Sequence, residues 1–255
     1  MTVRLTDYQW QKILFFLKGY KIVCMFRKFR IGDEGQCRKF IEAVLWVTKS
    51  GAQWRLLPKE YGKWNSVFKR FDRWAEQAVW QAMFEYFAED ADMESILIDS
   101  TIVRAHSCAA GGQGGNEEQH LGRSKGGYTS KLHCTTDALG NPLRLILSPG
   151  QRNDVTKAEE LLEDFRAQRV MGDKGYDAQV VLDKVAEMGA EVVIPPKSNR
   201  KEQREYDKEY YKERHLIEIF FNKIKHYRRV FSRFEKLARN YLAFCQFASV
   251  LIWLR

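Results

Sequence analysis

At 255 residues, with 45% hydrophobic and 13% aromatic side chains, the chain is long enough for one large domain or two modest ones and too apolar to remain disordered. Five scattered cysteines (24, 37, 108, 134 and 245), odd in number and without a C-x-x-C pair, argue against a disulfide scaffold or a zinc finger, and the adjacent His133–Cys134 does not make a zinc site on its own. The net charge of +9 is uneven, with +6 over residues 1–90, −5 over 91–196 and +8 over 197–255, which suits a polyanion bound at the ends and a metal held in the middle.

The first ninety residues read as helices. Leu5 to Leu17 follows Thr2 and Thr6, either of which offers an N-cap, and Cys37 to Thr48 has a 3.6-residue apolar rhythm. After the Gly- and Pro-punctuated stretch "KSGAQWRLLPKEYGKW", a further helix runs from an Asn65 or Ser66 cap and breaks near Gln77. Two helices across a turn, the second carrying Lys69, Arg70 and Arg73, are compatible with a helix-turn-helix reader of DNA. The tryptophans here read as core anchors in preference to base-stacking platforms. The N-terminus lacks an apolar stretch followed by small residues, and no apolar run approaches the roughly 18–20 residues of a membrane span. These features read as a cytoplasmic chain without a membrane segment.

Beyond Asp92 the rhythm changes. "ESILIDSTIV" is a short apolar strand carrying Asp99 at its end, and a glycine-rich segment, 109–127, reads as a mobile loop with basic Arg123 and Lys125 near its close. "YTSKLHCTTDALGNPLRLILSPG" is a hairpin, and "DVTKAEELLEDFRA" is a helix capped by Asp154. "RVMGD" is a second strand ending in a carboxylate, Asp173; a helix, a strand closed by prolines and a charged approach follow. The order β, β-hairpin, α, β, α, β, α is a mixed α/β sheet with helices packed on it. The boundaries drawn are a helical DNA-binding domain over 1–90, a catalytic domain over 91–235 and a C-terminal helix over 236–255 packed on the core.

Tyr211 to Arg229, "YKERHLIEIFFNKIKHYRR", is a basic amphipathic helix with an acid at its centre. At about 100° per residue, Leu216, Ile219, Phe220, Ile224, Tyr227, Val230 and Phe231 share one face, and Tyr211, Arg214, Glu218, Asn222, Lys225 and Arg229 the other. One reading is a solvated face laced with i,i+4 pairs. The other is a carboxylate that holds a cation while its basic neighbours hold phosphate. Asp99 and Asp173, each at the end of a strand, with Glu218 on a helix laid against the sheet, would give three hard oxygen ligands around one point. Asp99 read as a turn residue, and Asp177 as a rival to Asp173, are the alternatives that the sequence leaves open.

These blocks resemble the DDE transposases of bacterial insertion sequences, in the group that includes the insertion sequence 4 and 5 families. The resemblance is carried by "LIDSTIVRAH", "GRSKGGYTSKLH", "PGQRND" and "MGDKGYDA", and by the spacing Y-x2-R-x3-E-x6-K through Tyr211, Arg214, Glu218 and Lys225. It implies a ribonuclease-H-like mixed sheet with flanking helices, preceded by an all-α N-terminal DNA-binding domain. It also implies that Asp99, Asp173 and Glu218 bind two Mg²⁺ ions, replaceable by Mn²⁺, and catalyse cleavage of the element's ends and their joining to target DNA. Arg214 and Lys225 would contact phosphate and Tyr211 would position the DNA, with Arg228, Arg229, Arg123, Lys125, Lys69, Arg70 and Arg73 as further DNA contacts. The implied partners are double-stranded DNA, both terminal inverted repeats and target, and a second copy in a homodimer or larger assembly. Asp173 and Glu218 lie 45 residues apart, which leaves no room for an inserted β-domain between them. A ribonuclease-H-like nuclease that cuts without joining, and a non-catalytic DNA-binding protein, are the rival readings.

Overall fold

The computed structural model describes residues 3–23, 32–124, 126–200 and 203–255. Four helices lead: α1 (Asp7–Val23), α2 (Glu34–Ser50), α3 (Trp64–Glu76) and α4 (Val79–Ala88). Thr6 is the cap of α1, its hydroxyl accepting from Gln9 N–H while the Gln9 side chain accepts from Thr6 N–H, a reciprocal capping box. The predicted break falls at Gln77 and Ala78, where Ala78 takes a left-handed φ of 56° and turns α3 into α4. Between α2 and α3 the chain makes two 3₁₀ turns, Trp54–Leu56 and Lys59–Tyr61, so residues 51–63 form a longer connection than the three or four residues of a helix-turn-helix. Trp10, Trp74 and Trp80 are buried in the packing of these helices.

The sheet follows: β1 (Ser95–Ala105), the short helix α5 (Gly115–Glu118), β2 (Gly122–Ser124), β3 (Gly127–Thr136), β4 (Pro142–Pro149), α6 (Ala158–Leu162), β5 (Arg169–Met171), α7 (Gln179–Glu187) and β6 (Glu191–Val193). The strand order is β2-β3-β1-β5-β6, with β4 also paired to β3. β1, β3 and β4 are antiparallel, while β5 and β6 run parallel to β1. An antiparallel trio with parallel strands added beyond the first is the ribonuclease-H-like arrangement that the resemblance implied. The glycine-rich segment is less of a loop than expected, since it holds α5 and β2, and β2 pairs with β3. Two further expectations are corrected here. Asn153, not Asp154, caps the turn that leads into α6, because Asp154 is drawn to Lys131 and Ser100. Asp99 lies within β1, not at its end, because β3 continues to pair with β1 for several residues past it.

The remainder is α8 (Lys208–Lys212), α9 (His215–Lys225), α10 (Arg228–Phe231), β7 (Ser232–Arg233) and α11 (Ala238–Trp253). The single helix expected over 211–229 is thus three pieces. The break after Lys225 resets the phase: Arg229 turns inward and Phe231 becomes exposed, the reverse of the uninterrupted pattern. Ile217, Phe220, Phe221 and Ile224 form the buried face of α9, and Ile219 is exposed.

Alternation along the strands divides the interior in two. Leu97, Val103, Leu132, Leu145 and Met171 join α9, α11 and the N-terminal helices in one apolar cluster, whereas Ile96, Ile98, Ile146 and Val170 join α6 and α7 in another. α11 packs on α4, on β4 and on α9, and so lies between the helical N-terminus and the sheet.

Candidate active site

Strand register places the first two acids. Leu97 pairs with Met171 at the end of the short parallel β1–β5 ladder. Asp99 lies two residues on along β1, and Asp173 lies two residues past the end of β5, where it caps the next turn, near enough for its charge to act on Asp99. Past Met171 the parallel ladder between β1 and β5 ends. Asp173 also steadies its own loop, accepting from Gly175 N–H at 2.8 Å.

α8 and α9 supply the rest. Arg214 donates from Nη1 to Asp99 Oδ2 at 2.9 Å and from Nη2 to Glu218 Oε1, so one guanidinium spans two of the three acids. The Tyr211 phenol accepts from Arg214; burial is the main cause of its raised pKa, and the Asp173 charge nearby adds to it. Lys225 Nζ donates to Thr101 Oγ1 at 2.6 Å, fixing the far end of α9 to β1 two residues beyond Asp99. Tyr211, Arg214, Glu218 and Lys225 thus bind one another or the strand that bears Asp99.

The electrostatics follow from this crowding. Asp99 is half-buried, and desolvation raises its pKa above the ordinary carboxylate range. The Ser100 N–H and Arg214 pull it down, while Asp173 pushes it up. Lys225 titrates below an ordinary lysine because burial disfavours its charge. Asp177 is excluded as the second acid: it is buried and held by Lys197 N–H, Arg200 and Arg204. Burial alone would raise its pKa, but these partners hold it below the usual value.

The donor chemistry of Asp99, Asp173 and Glu218 suits a hard divalent cation. Among the described residues, however, no three acidic, histidine or cysteine side chains stand close enough together to grip one. The Arg214 guanidinium stands between Asp99 and Glu218, and its single positive charge offsets one of their two negative charges.

The other anticipated DNA contacts divide. Lys69, Arg73, Arg123 and Arg228 are exposed. Lys125 lies outside the described residues. Arg229 is corrected to a structural role, since it is buried, bridges Glu235 at 2.6 Å and donates to the carbonyls of Gly51 and Ala52 at the end of α2. Arg70 likewise folds inward, its guanidinium 4.4 Å from the Phe40 ring and bonded to Cys37 Sγ. Gly51 takes a φ of +68°, and a Cβ there would meet Arg228 Cβ at 2.9 Å, so only glycine admits this close approach.

Sequence reasoning missed Asp154. Its Oδ1 accepts from Ser100 Oγ at 2.7 Å and from Lys131 Nζ at 2.8 Å, and it lies 3.9 Å from His133 Nδ1. Ser100 joins this network to the site, because its N–H donates to Asp99 Oδ1 at 2.7 Å. The only sequence signal was the acid's place in "PGQRND", where a cap reading was simpler.

Residues 90–253 match the family described as "Transposase DDE domain", and residues 5–84 match "Putative transposase of IS4/5 family". The chain is 39% identical over 129 residues to the "Putative transposase for insertion sequence element IS6501" of Brucella ovis, covering 50% of this chain and 99% of that one. It is also 39% identical over 123 residues to y4sN, an uncharacterized protein of Sinorhizobium fredii, covering 48% and 86% respectively. Among solved structures it is similar to a piggyBac transposase synaptic complex with hairpin DNA, at 12% identity and a TM-score of 0.43, covering 78% of this chain and half of that one. The chain belongs to the DDE transposases, in the insertion sequence 4/5 group.

Proposed function

We propose that this transposase binds the terminal inverted repeats of its element, cleaves the element ends and joins the freed 3′-hydroxyls to target DNA. The observation that carries the reading is the Arg214 bridge between Asp99 and Glu218, with Asp173 near enough for its charge to act on Asp99. Asp99, Asp173 and Glu218 are the residues that would hold Mg²⁺ or Mn²⁺. The metal, when bound, supplies activation of a water or hydroxyl nucleophile and neutralises charge on the leaving oxygen.

The chain's own residues bind and orient. Arg214 carries a planar fork of donors that matches a phosphodiester as well as it matches two carboxylates. Transfer of that fork from the acids to an incoming phosphate would free the acids at the moment DNA arrives, coupling the two events. Lys225, half-buried beside Thr101, gains more from an anionic partner than a fully hydrated lysine would. Tyr211 props Arg214 from behind. The N-terminal helices, over 1–90, would read the end sequence with Lys69 and Arg73, and two copies would hold the paired ends.

The test is an oligonucleotide assay with the element's end sequences and Mg²⁺ or Mn²⁺, resolved on each strand. Nicking at the 3′ end and strand joining are expected, both reduced by about 10³-fold or more in Asp99→Asn, Asp173→Asn and Glu218→Gln while DNA binding persists. Cleavage without joined product would favour the nuclease reading. Full activity in Asp99→Asn would overturn the assignment.

A further inference from the structure

At the opposite end of α9 from Arg214, α1, α2, the α9–α10 junction and α11 enclose an open cleft of about 300 Å³. The ionisable side chains around it, Arg4, Lys49, His226 and Arg255, are all basic, over a floor that includes Tyr227, and no Asp or Glu side chain lines it. Other arginines do have acidic partners, as Arg38 has Asp7 and Glu42, Arg152 has Glu117 and Arg239 has Asp72. Arg4, Lys49 and Arg255 are in no ion pair among the described residues. Like charges turned into one cleft repel each other, and an anion seated among them would relieve that repulsion.

The position suits a particular anion. Arg214 and His226 flank the 11 residues of α9, twelve steps apart, which spans roughly 18 Å. One strand of duplex DNA carries a phosphate about every 3.4 Å of helix axis, which makes that span roughly five nucleotides. We propose that this cleft is a second phosphate subsite, which takes a DNA backbone phosphate about five nucleotides from the one engaged at Arg214. The proposal rests on the transposase reading and adds to it a fixed second point of attachment, shared by the N-terminal helices and the C-terminal helix.

The experiment measures binding of an end-sequence duplex by fluorescence anisotropy across a salt series. It compares the wild type with the double variant Arg4→Gln, Lys49→Gln, whose side chains are exposed and whose fold is checked by circular dichroism. The variant is expected to bind roughly tenfold more weakly near 0.1 M salt and to lose about one from the magnitude of the log–log salt slope. A scan of single methylphosphonate linkages should then find one position, about five nucleotides from the scissile phosphate, that weakens the wild type and leaves the variant unaffected. An unchanged slope, or a scan identical in both proteins, overturns the subsite while leaving the transposase reading intact. Absence of salt-dependent binding in the wild type would instead remove the reading on which it rests. A third arm titrates inorganic phosphate into the DNA-free protein. Phosphate binding that depends on Arg4 and Lys49 without any difference in DNA binding would mark a small-anion site and also overturn the proposal.

Discussion

Individual side chains in this molecule are assigned by their partners more than by their type. Two arginines fifteen positions apart, Arg214 and Arg229, sit in the same basic stretch, yet one spans the two acids and the other ties α2 to α10. His133 is a comparable case. It is fully buried, its Nε2 bonded to Ser148 Oγ at 2.7 Å, and burial lowers its pKa to about 4 against an ordinary value of 6.5. The unfolded chain therefore binds a proton between pH 6.5 and 4 that the folded chain refuses, so stability contributed by the neutral ring is complete above pH 6.5 and declines as pH falls through that window. A shift of this size corresponds to a contribution on the order of 3 kcal/mol. Urea melts at pH 7 and pH 4.5 should show a drop in midpoint that His133→Asn reduces; an equal drop in the variant would show that His133 is not its source. For Arg229→Ala the expected cost is about 3 kcal/mol or more, because Glu235 would be left buried without its partner. The same variant should leave the salt slope of DNA binding unchanged, which separates a structural arginine from a phosphate contact.

At the level of elements, what the sequence disclosed depended on whether a local rule or a distant neighbour decided the outcome. The hairpin of β3 and β4 was legible because the Asp137–Asn141 turn is locally determined: the Asp137 carboxylate accepts from Leu139 and Asn141 N–H, and Gly140 supplies a φ of +79°. The Thr6 cap and the break at Gln77 were legible for the same reason. Asp99, Asp173 and Glu218 were singled out by their places after two apolar runs and on a polar helix stripe; the structure joins Asp99 and Glu218 through Arg214 and sets Asp173 in the turn after β5. The division of the 211–229 helix was not legible. Apolar residues continue past Lys225 at helical spacing, and the break exists because Tyr227, Val230 and Arg229 are claimed by α2 and α11, which sequence periodicity does not register. The inward turn of Arg70 escaped for a similar reason, because Phe40 and Cys37 come from another helix. Asp154 was misread because a capping rule explained it locally, whereas Lys131 and Ser100 reach it from neighbouring strands.

Across the whole molecule, one apolar cluster runs without interruption from Leu5 through the N-terminal helices to the sheet and α11. Polar ties reinforce it, with Asp72 of α3 accepting from both Arg239 and Asn240 of α11. A single unfolding transition is expected, with tryptophan fluorescence, dominated by the N-terminal helices, and far-ultraviolet dichroism giving coincident midpoints. Two separated transitions would show that the helical and sheet layers are independent. Among the described residues no helix is long and apolar enough to cross a membrane, and the length of α11 serves this shared interior instead. Since α11 begins only at Ala238, translation halted ahead of that codon leaves a polypeptide whose acids, arginine bridge and leading helices have all been synthesised but whose common support is missing. Such a fragment would carry Asp99, Asp173, Glu218 and Arg214 without the helix that packs against α4, β4 and α9, and a truncation after Leu237 is expected to lose the cooperative fold.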